Sequence, residues 1–403
     1  GGKGRREADE ANKPAEVEAI EAFLFSQAEF RHNVITHHCE IRWTEEAGFL
    51  PLTDRDVNTL WGRMNKTVGR VYLTDIYNVI HSEFVPLFNP FQSYFDHLPS
   101  WDGVSDPIGD LADTVHVKSD QAEFRDYFRK WFVGILPALL DDTVVNHEIL
   151  VLIGEQGLYK TTWFNFLLPP ELRCYFYTKT NSDRLNKDDL FSLTEFALIC
   201  FEELDGMRPA ELNQLKAMVT MPYVNERAAY GRNKERHPHI ASFCGTGNNV
   251  QFLTDPTGNR RWLPFEVSQI RDPHLHAIPY ELVYSQAYAL WKSGFCHWFS
   301  QEEIRKLNMH NSRFEVPNLE EDLIRTHFRK PFEGEAGIFV TAADILEQIS
   351  SCLRYPLSPN KIGRIMAGLE FESIRYKGKR GYIAVKKTGE DIDRERRSGA
   401  LGL

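Results

Sequence analysis

Three short apolar segments, each ending abruptly in polar residues, predict an α/β fold centred on a parallel sheet. They are Glu148 to Ile153 in HEILVLIGEQGLYKTTWFNFLL, Phe196 to Phe201 in FALICFEELDGM, and the apolar run of HIASFCGTGNNV. Uninterrupted apolar runs of this length suit strands covered on both faces. An aromatic stripe precedes them. Phe124, Phe128, Trp131, Phe132, Ile135 and Leu139 fall at helical spacing and mark a core-facing helix over Asp120 to Leu140 that leads into the sheet.

The first segment carries the most informative motif. A strand is followed by a turn containing Gly154, Glu155, Gln156, Gly157, Leu158 and Tyr159, then by Lys160, with Thr161 and Thr162 opening an amphipathic helix. This is the layout of a nucleotide-binding P-loop. Backbone N–H groups would surround the β- and γ-phosphates of ATP, Lys160 would neutralise them, and the Thr161 hydroxyl would ligate Mg2+. The standard pattern has glycine directly before the lysine, where this chain has Tyr159. That position therefore needs a backbone conformation a side chain tolerates, or a rearranged loop. Without a ligand, the same segment is an ordinary strand, turn and helix.

The second segment ends in Glu202 and Glu203. Carboxylates at the C-terminal end of a parallel strand sit beside such a loop, where one can hold magnesium and the next can polarise the attacking water. Glu202 is assigned to the metal and Glu203 to the water, although the two could be exchanged. Asp205 reads as a cap for a helix beginning near Pro209. On its own, an acidic pair after an apolar strand is commonly just a solvated strand end.

The third segment reads as a strand between the other two, tipped by Asn248 and Asn249. A polar tip there can orient the hydrolytic water, with Asn248 the first choice and Asn249 the second. Paired asparagines also make turns well. The turn-rich stretch FLTDPTGNRRWLPFEV then carries Arg260 and Arg261 just before another apolar strand. An arginine on such a loop can reach the γ-phosphate of a neighbouring subunit, and that role predicts a ring. Adjacent surface arginines are otherwise simply solvated.

In this order, the loop, carboxylate strand, asparagine-tipped strand and trailing arginines resemble a superfamily 3 helicase of the AAA+ class. Within that class the chain resembles the virulence-associated protein E family, primase-associated helicases of phages and mobile genetic elements. FRHNVITHHCEIRW, NPFQSYFDHLPSWDG, GTGNNVQFLTDPTGNRRW and ALWKSGFCHWFSQEEI extend the match over roughly Glu21 to Lys387. The resemblance implies roles for Lys160, Thr161, Glu202, Glu203, Asn248 and one of Arg260 and Arg261. Members of the family usually keep glycine where this chain has Tyr159.

Between the carboxylate and asparagine strands, NERAAYGRNKERHPHIASF reads as a hairpin turning near Gly231 to Glu235, with Arg232, Lys234 and Arg236 at its tip and His237 and His239 on the outgoing strand. The resemblance implies that this hairpin projects into a central channel and grips single-stranded DNA. Composition alone fits a solvated hairpin equally well.

The 403 residues, 42% of them hydrophobic, allow two or three domains with cores of their own. A net charge of −10 excludes a generally basic DNA-coating protein, but not a channel that is positive only on its inner surface. Six widely spaced cysteines offer no zinc or redox spacing and read mostly as core residues of a reducing compartment. No segment has the apolar length of a membrane span and no signal-peptide core opens the chain, so the expected location is the cytoplasm of a bacterial host.

The expected organisation is a linker or disordered stretch over 1–18, a mostly helical N-terminal region over 19–119 that includes the strand-like HHCEIRW, the P-loop NTPase core over 120–270, and a helical lid or connector over 271–330. A winged helix over 331–389 and a disordered tail over 390–403 complete it. The abrupt start suggests the back half of a longer protein, and the resemblance implies a fused or separate primase. VTAADILEQISSCL, SPNKIGRIMAGLEFESIR and RYKGKRGYIAVKK give the winged helix its order of helix, helix and hairpin, with Thr341 and Ser358 as caps. Lys377, Lys379 and Arg380 would make a basic wing against duplex DNA, although such a fold serves protein contacts about as often.

The expected function is thus an ATP-dependent DNA helicase, working as a homo-hexamer on single-stranded DNA in the replication of a phage or mobile element. Three rivals stand beside it. One is an AAA+ ATPase that remodels or loads proteins on DNA without unwinding. The second is a non-hydrolysing DNA-binding adaptor, and the third is a metabolic P-loop kinase, against which the hairpin and winged helix count.

Overall fold

Residues 15–180, 187–226, 235–254, 259–316, 319–350 and 359–400 are described by the structure, a computed structural model. They divide into two units, Gly1–Glu315 and Val316–Leu403. The first unit opens with α1 (Val17–Gln27), β1 (Ala28–Asn33), β2 (His38–Trp43), β3 (Leu50–Pro51), α2 (Asp54–Thr67), α3 (Leu73–Ile80), β4 (Leu87–Phe88), α4 (Pro90–Asp96) and α5 (Pro107–Ala112). Thr53 starts α2 through a capping box, accepting from Asp56 N while its own N–H donates to Asp56 Oδ2.

A region expected to be mostly helical therefore also holds a four-stranded sheet, in the order β3-β2-β1-β4. Two of its strands are two residues long, too short to leave a sequence pattern. In AEFRHN only Ala28 and Phe30 form the inward alternation. These residues, with Cys39 and Ile41, close a small core against Ile20, Leu24, Leu60, Met64 and Ile76.

The elements that position the candidate site follow: β5 (Val115–Val117), α6 (Gln121–Leu140), β6 (Ile149–Ile153), α7 (Lys160–Phe166), β7 (Phe176–Lys179), α8 (Lys187–Glu195), β8 (Leu198–Phe201), α9 (Pro209–Val219), β9 (Tyr223–Glu226), β10 (Glu235–Pro238), β11 (Ser242–Gly247), β12 (Trp262–Ile270), α10 (Tyr280–Lys292) and α11 (Gln301–Asn311). Six strands form one sheet in the order β5-β12-β6-β11-β8-β7. Every pairing is parallel except that of β5 with β12. The asparagine-tipped strand β11 lies between β6 and β8, as expected.

Alternate residues of β6 supply the two faces of this sheet. Leu150 and Leu152 join Phe128, Trp131, Phe132, Trp163 and Tyr284 on one side, while Ile149, Val151 and Ile153 join Leu193, Leu212, Leu215 and Val219 on the other. Burial of each such side chain contributes roughly 2 kcal/mol relative to leaving it in water. The aromatic stripe of α6 is buried packing, as its spacing predicts, and Asp120 caps the helix by accepting from Ala122 N at 2.8 Å. Trp131 also donates its indole N–H to Phe243 O at 2.9 Å, tying α6 to the middle of the sheet. Of the cysteines, Cys39, Cys200 and Cys244 are buried and Cys174 and Cys296 exposed.

The second unit contains α12 (Leu319–His327), β13 (Phe328–Arg329), β14 (Ile338–Val340), α13 (Ala342–Ser350), α14 (Pro359–Gly368), β15 (Ser373–Tyr376), β16 (Lys379–Lys386) and α15 (Gly389–Ala400). Strand β16 pairs antiparallel with β13, β14 and β15. Thr341 caps α13 with Asp344 as partner, while Ser358 lies outside the described residues.

Two boundaries differ from expectation. Ile324 of α12 packs with Ile345, Ile362 and Met366, so this helix belongs to the second core and not to a connector ending at 330. Residues 389–400 are helical where a disordered tail was expected, because Thr388 and Asp391 exchange hydrogen bonds that start α15. Among the described residues no helix is long and apolar enough to cross a membrane.

Trp131→Ala removes both the buried indole and its hydrogen bond. It should lower the unfolding free energy by about 3–5 kcal/mol in urea titrations. A loss below about 1 kcal/mol would contradict this packing.

Candidate functional site

The C-terminal ends of β6, β11 and β8 surround a cleft of about 400 Å³. Gln156, Gly157, Leu158, Tyr159, Lys160, Thr161 and Thr162 border it on one side, and Glu202, Glu203 and Asn248 on the other. The loop after β6 starts tightly. Gly154 donates to Gly247 O, and a Cβ on Gly154 would stand 2.8 Å from Val267 O, so only glycine fits. Gly157 has φ 89°, which glycine adopts without cost.

Tyr159 resolves the departure noted in the sequence. It adopts the left-handed conformation, φ 60° and ψ 18°, directly before α7. The backbone thus takes a conformation characteristic of glycine and the loop is not rearranged around the side chain, which is exposed. A non-glycine residue pays roughly 1 kcal/mol there. Glu203 has the same conformation, φ 54°, on the facing side of the cleft.

Lys160 is buried and directs its ammonium inward, donating to Gly154 O at 2.6 Å and Glu155 O at 2.8 Å, with Asn248 Oδ1 at 3.5 Å. Burial lowers its pKa, and the Asp205 carboxylate acts the other way. Thr161 donates its hydroxyl to Glu202 Oε1 at 2.8 Å. These contacts bring together Lys160, Thr161, Glu202 and Asn248 from three separate sequence segments.

Asp205 is not the expected helix cap. Arg208 and Glu211 cap α9, with Arg208 N donating to Glu211 Oε2. Asp205 instead accepts from Asn248 N and Asn249 N, both at 3.1 Å, and from Asn249 Nδ2 at 2.7 Å. It therefore fixes the tip of β11, with Asn248 on the cleft and Asn249 turned toward Asp205. Sequence reasoning missed this because the partners are more than forty residues apart with no shared motif.

Arg260 and Arg261 lie elsewhere. They sit in a 3-10 turn, Asn259–Arg261, just before Trp262, which pairs with Ile149 at the start of β6. The arginines are therefore at the N-terminal end of the strands, a full strand length from the cleft. Glu148 lies at the same end, and burial pushes its pKa up to about 7, against the opposing pull of Lys130 and Arg261.

The hairpin between β8 and β11 is present as β9 and β10, with Glu226 opposite Glu235. Arg232 and Lys234 lie outside the described residues. Arg236 is exposed and stacks on Tyr223, with its guanidinium carbon 3.2 Å from the ring centroid. His237 corrects the expectation of an available cation: it is buried, with its ring edge-on to His37. His239 is buried too, and burial takes its pKa down to about 4. In the second unit, Lys377 and Gly378 form the hairpin turn with positive φ, and Lys379 and Arg380 begin β16. All three cations are exposed.

The family model of the virulence-associated protein E-like domain matches residues 96–316, more than half of the chain. The chain belongs to the virulence-associated protein E-like family. The matched span of this family member contains the whole six-stranded sheet and both ends described above. Among solved structures, the chain is similar to the apo structure of the NrS-1 C terminal region, at 11% identity and a TM-score of 0.48, covering 92% of this chain and 98% of that one. It is similar also to an A form apo structure of the same region, at 12% identity and a TM-score of 0.47, with the same coverage. No curated protein matches.

Two measurements check this geometry. Tyr159→Gly should raise the unfolding free energy by about 1 kcal/mol through relief of the left-handed backbone, and a loss would show that the ring matters more than the backbone. Glu148 has a folded pKa above its ordinary 4.5, so its protonated form favours the native state. That contribution is present below about pH 4.5 and is lost as pH rises through about 7. Glu148→Gln should therefore raise Tm at about pH 8 and leave it unchanged at about pH 4; an equal shift at both would refute the raised pKa of Glu148.

Proposed function

We propose that the chain is an ATP-dependent DNA helicase that works as a ring, a homo-hexamer, translocating on single-stranded DNA during replication of a phage or mobile element. The observation that carries this reading is the convergence of Lys160, the Thr161 and Glu202 pair, and Asn248 on one cleft. In this reading Gly154 to Thr162 is the P-loop. The turn amides and the start of α7 receive the phosphates of ATP. Lys160 exchanges the carbonyls of Gly154 and Glu155 for phosphate oxygens.

Bound Mg2+ would neutralise phosphate charge and fix phosphate geometry. Thr161 and Glu202 fit that ion, because a hydroxyl and a carboxylate oxygen already face each other at 2.8 Å, and magnesium needs few protein oxygens beside water and phosphate. Glu203 polarises the attacking water and Asn248, held by Asp205, orients it. The arginine turn at the far end of the sheet serves a neighbouring subunit, which is why the reading requires a ring.

Arg236, with Arg232 and Lys234, would carry the hairpin's phosphate contacts; His237, being buried, is withdrawn from that set. The second unit is read as a winged helix, with α13, α14 and the β15–β16 hairpin as its parts and Lys377, Lys379 and Arg380 against duplex phosphates. A fused or separate primase and a bacterial cytoplasm complete the proposal.

The test is ATP hydrolysis by the wild type and Lys160→Ala, with and without single-stranded DNA. Hydrolysis stimulated by DNA and reduced at least about a hundredfold in the variant is expected. Folded, assembled protein without hydrolysis would sink the motor and favour the adaptor.

A further inference from the structure

The two arginines before β12 differ in surroundings. Arg260 is exposed, and its guanidinium makes no ion pair or hydrogen bond among the described residues. Arg261 is half-buried. Burial and the adjacent Arg260 lower its pKa, while the nearby Glu148 carboxyl raises it. One cation is thus presented outward, while the other is half-sunk against its own chain.

The turn carrying them is held from beneath. Asn311, fully buried at the end of α11, donates its amide to Asn259 O at 2.8 Å and to Trp262 O at 3.0 Å, the carbonyls on either side of the arginine pair. Asn259 is itself buried and donates to Glu315 Oε1 at 2.9 Å. Upstream, the N–H groups of Phe252 and Leu253 both donate to Phe314 O. The end of α11 and the residues after it therefore grip the chain on both sides of the arginines. A buried amide spanning two carbonyls fixes backbone direction, and so fixes the point and direction from which an exposed side chain leaves the turn.

We propose that Asn311 is a positioning residue that aims Arg260, the exposed member of the pair, toward the neighbouring subunit's nucleotide site. This rests on the ring ATPase reading. Arg261, half-buried, is the less accessible of the two. Asn311 touches no substrate and acts only through the turn.

The experiment measures steady-state ATP hydrolysis of the full chain carrying Arg260→Ala, Arg261→Ala, Asn311→Ala, Asn311→Ser or Arg260→Ala with Asn311→Ala, each checked for assembly and urea midpoint. Arg260→Ala should lower kcat about a thousandfold with little change in KM, and Arg261→Ala less than about tenfold. Asn311→Ala should lower kcat, while adding it to Arg260→Ala should cost nothing more, since both act through one group. Asn311→Ser, which keeps a donor in less volume, should recover part of the rate and stands in if the alanine variant does not assemble.

Mixing Arg260→Ala with Lys160→Ala subunits should restore activity, because some interfaces then join an intact cleft to an intact arginine. A merely structural role would not give that complementation. Loss in Arg261→Ala instead of Arg260→Ala overturns the assignment and leaves the ring standing. Additive losses overturn the role of Asn311. Wild-type protein that hydrolyses ATP while neither arginine matters overturns this proposal alone, and wild-type protein without hydrolysis overturns it together with the reading beneath it.

Discussion

The parallel register of β6, β11 and β8 is the constraint on which the larger unit depends. Phe243 stands opposite Ile149, and Ser242 opposite Leu198, so the three strands run level and end together. Their tips are Gly154, Asn248 and Glu202, which the chain separates by dozens of residues. Slipping β11 by one position would turn Phe243 and Cys244 to the opposite faces and break both cores. Packing on two faces thus enforces the alignment of the tips, and the chemistry of the cleft follows from hydrophobic burial.

The same parallel arrangement gives the sheet two unlike ends. Loops after the strands gather the buried lysine, the carboxylates and the asparagine, while the turn before β12 gathers Arg260, Arg261 and, across the β6 start, Glu148. A single chain cannot fold its arginine turn over its own cleft without breaking the pairing of Trp262 with Ile149. In the proposed ring, the arginine end of one copy would meet the cleft of the next.

What the sequence made legible was local. The strand, loop and helix around Lys160, the aromatic stripe of α6 and the cap at Thr341 depend on neighbours within a turn or two, and each stands where its spacing predicted. The order of β6, β11 and β8 was legible because their polar tips must meet. Asp205 was not, since its partners lie across the sheet, and His237 was misread because a histidine beside basic residues gives no sign of the His37 ring that covers it. The N-terminal sheet was legible only in the strand-like HHCEIRW, which contains β2, because β3 and β4 are two-residue pairings made by tertiary contact, with no alternation to detect.

Strain is concentrated at the cleft. Among the described non-glycine residues, five have positive φ, and two of them, Tyr159 and Glu203, face each other across it. Neither conformation is imposed by lack of space, since Tyr159 has an exposed ring. Each is imposed by what comes next: Tyr159 must turn the chain so that Trp163 N can donate to Tyr159 O and α7 can begin at Lys160, and Glu203 must turn it so that Asp205 reaches the tip of β11. The strain at each position is small against the two cores that hold the strands in place, which is why a tyrosine can occupy a backbone position suited to glycine without displacing the lysine beside it.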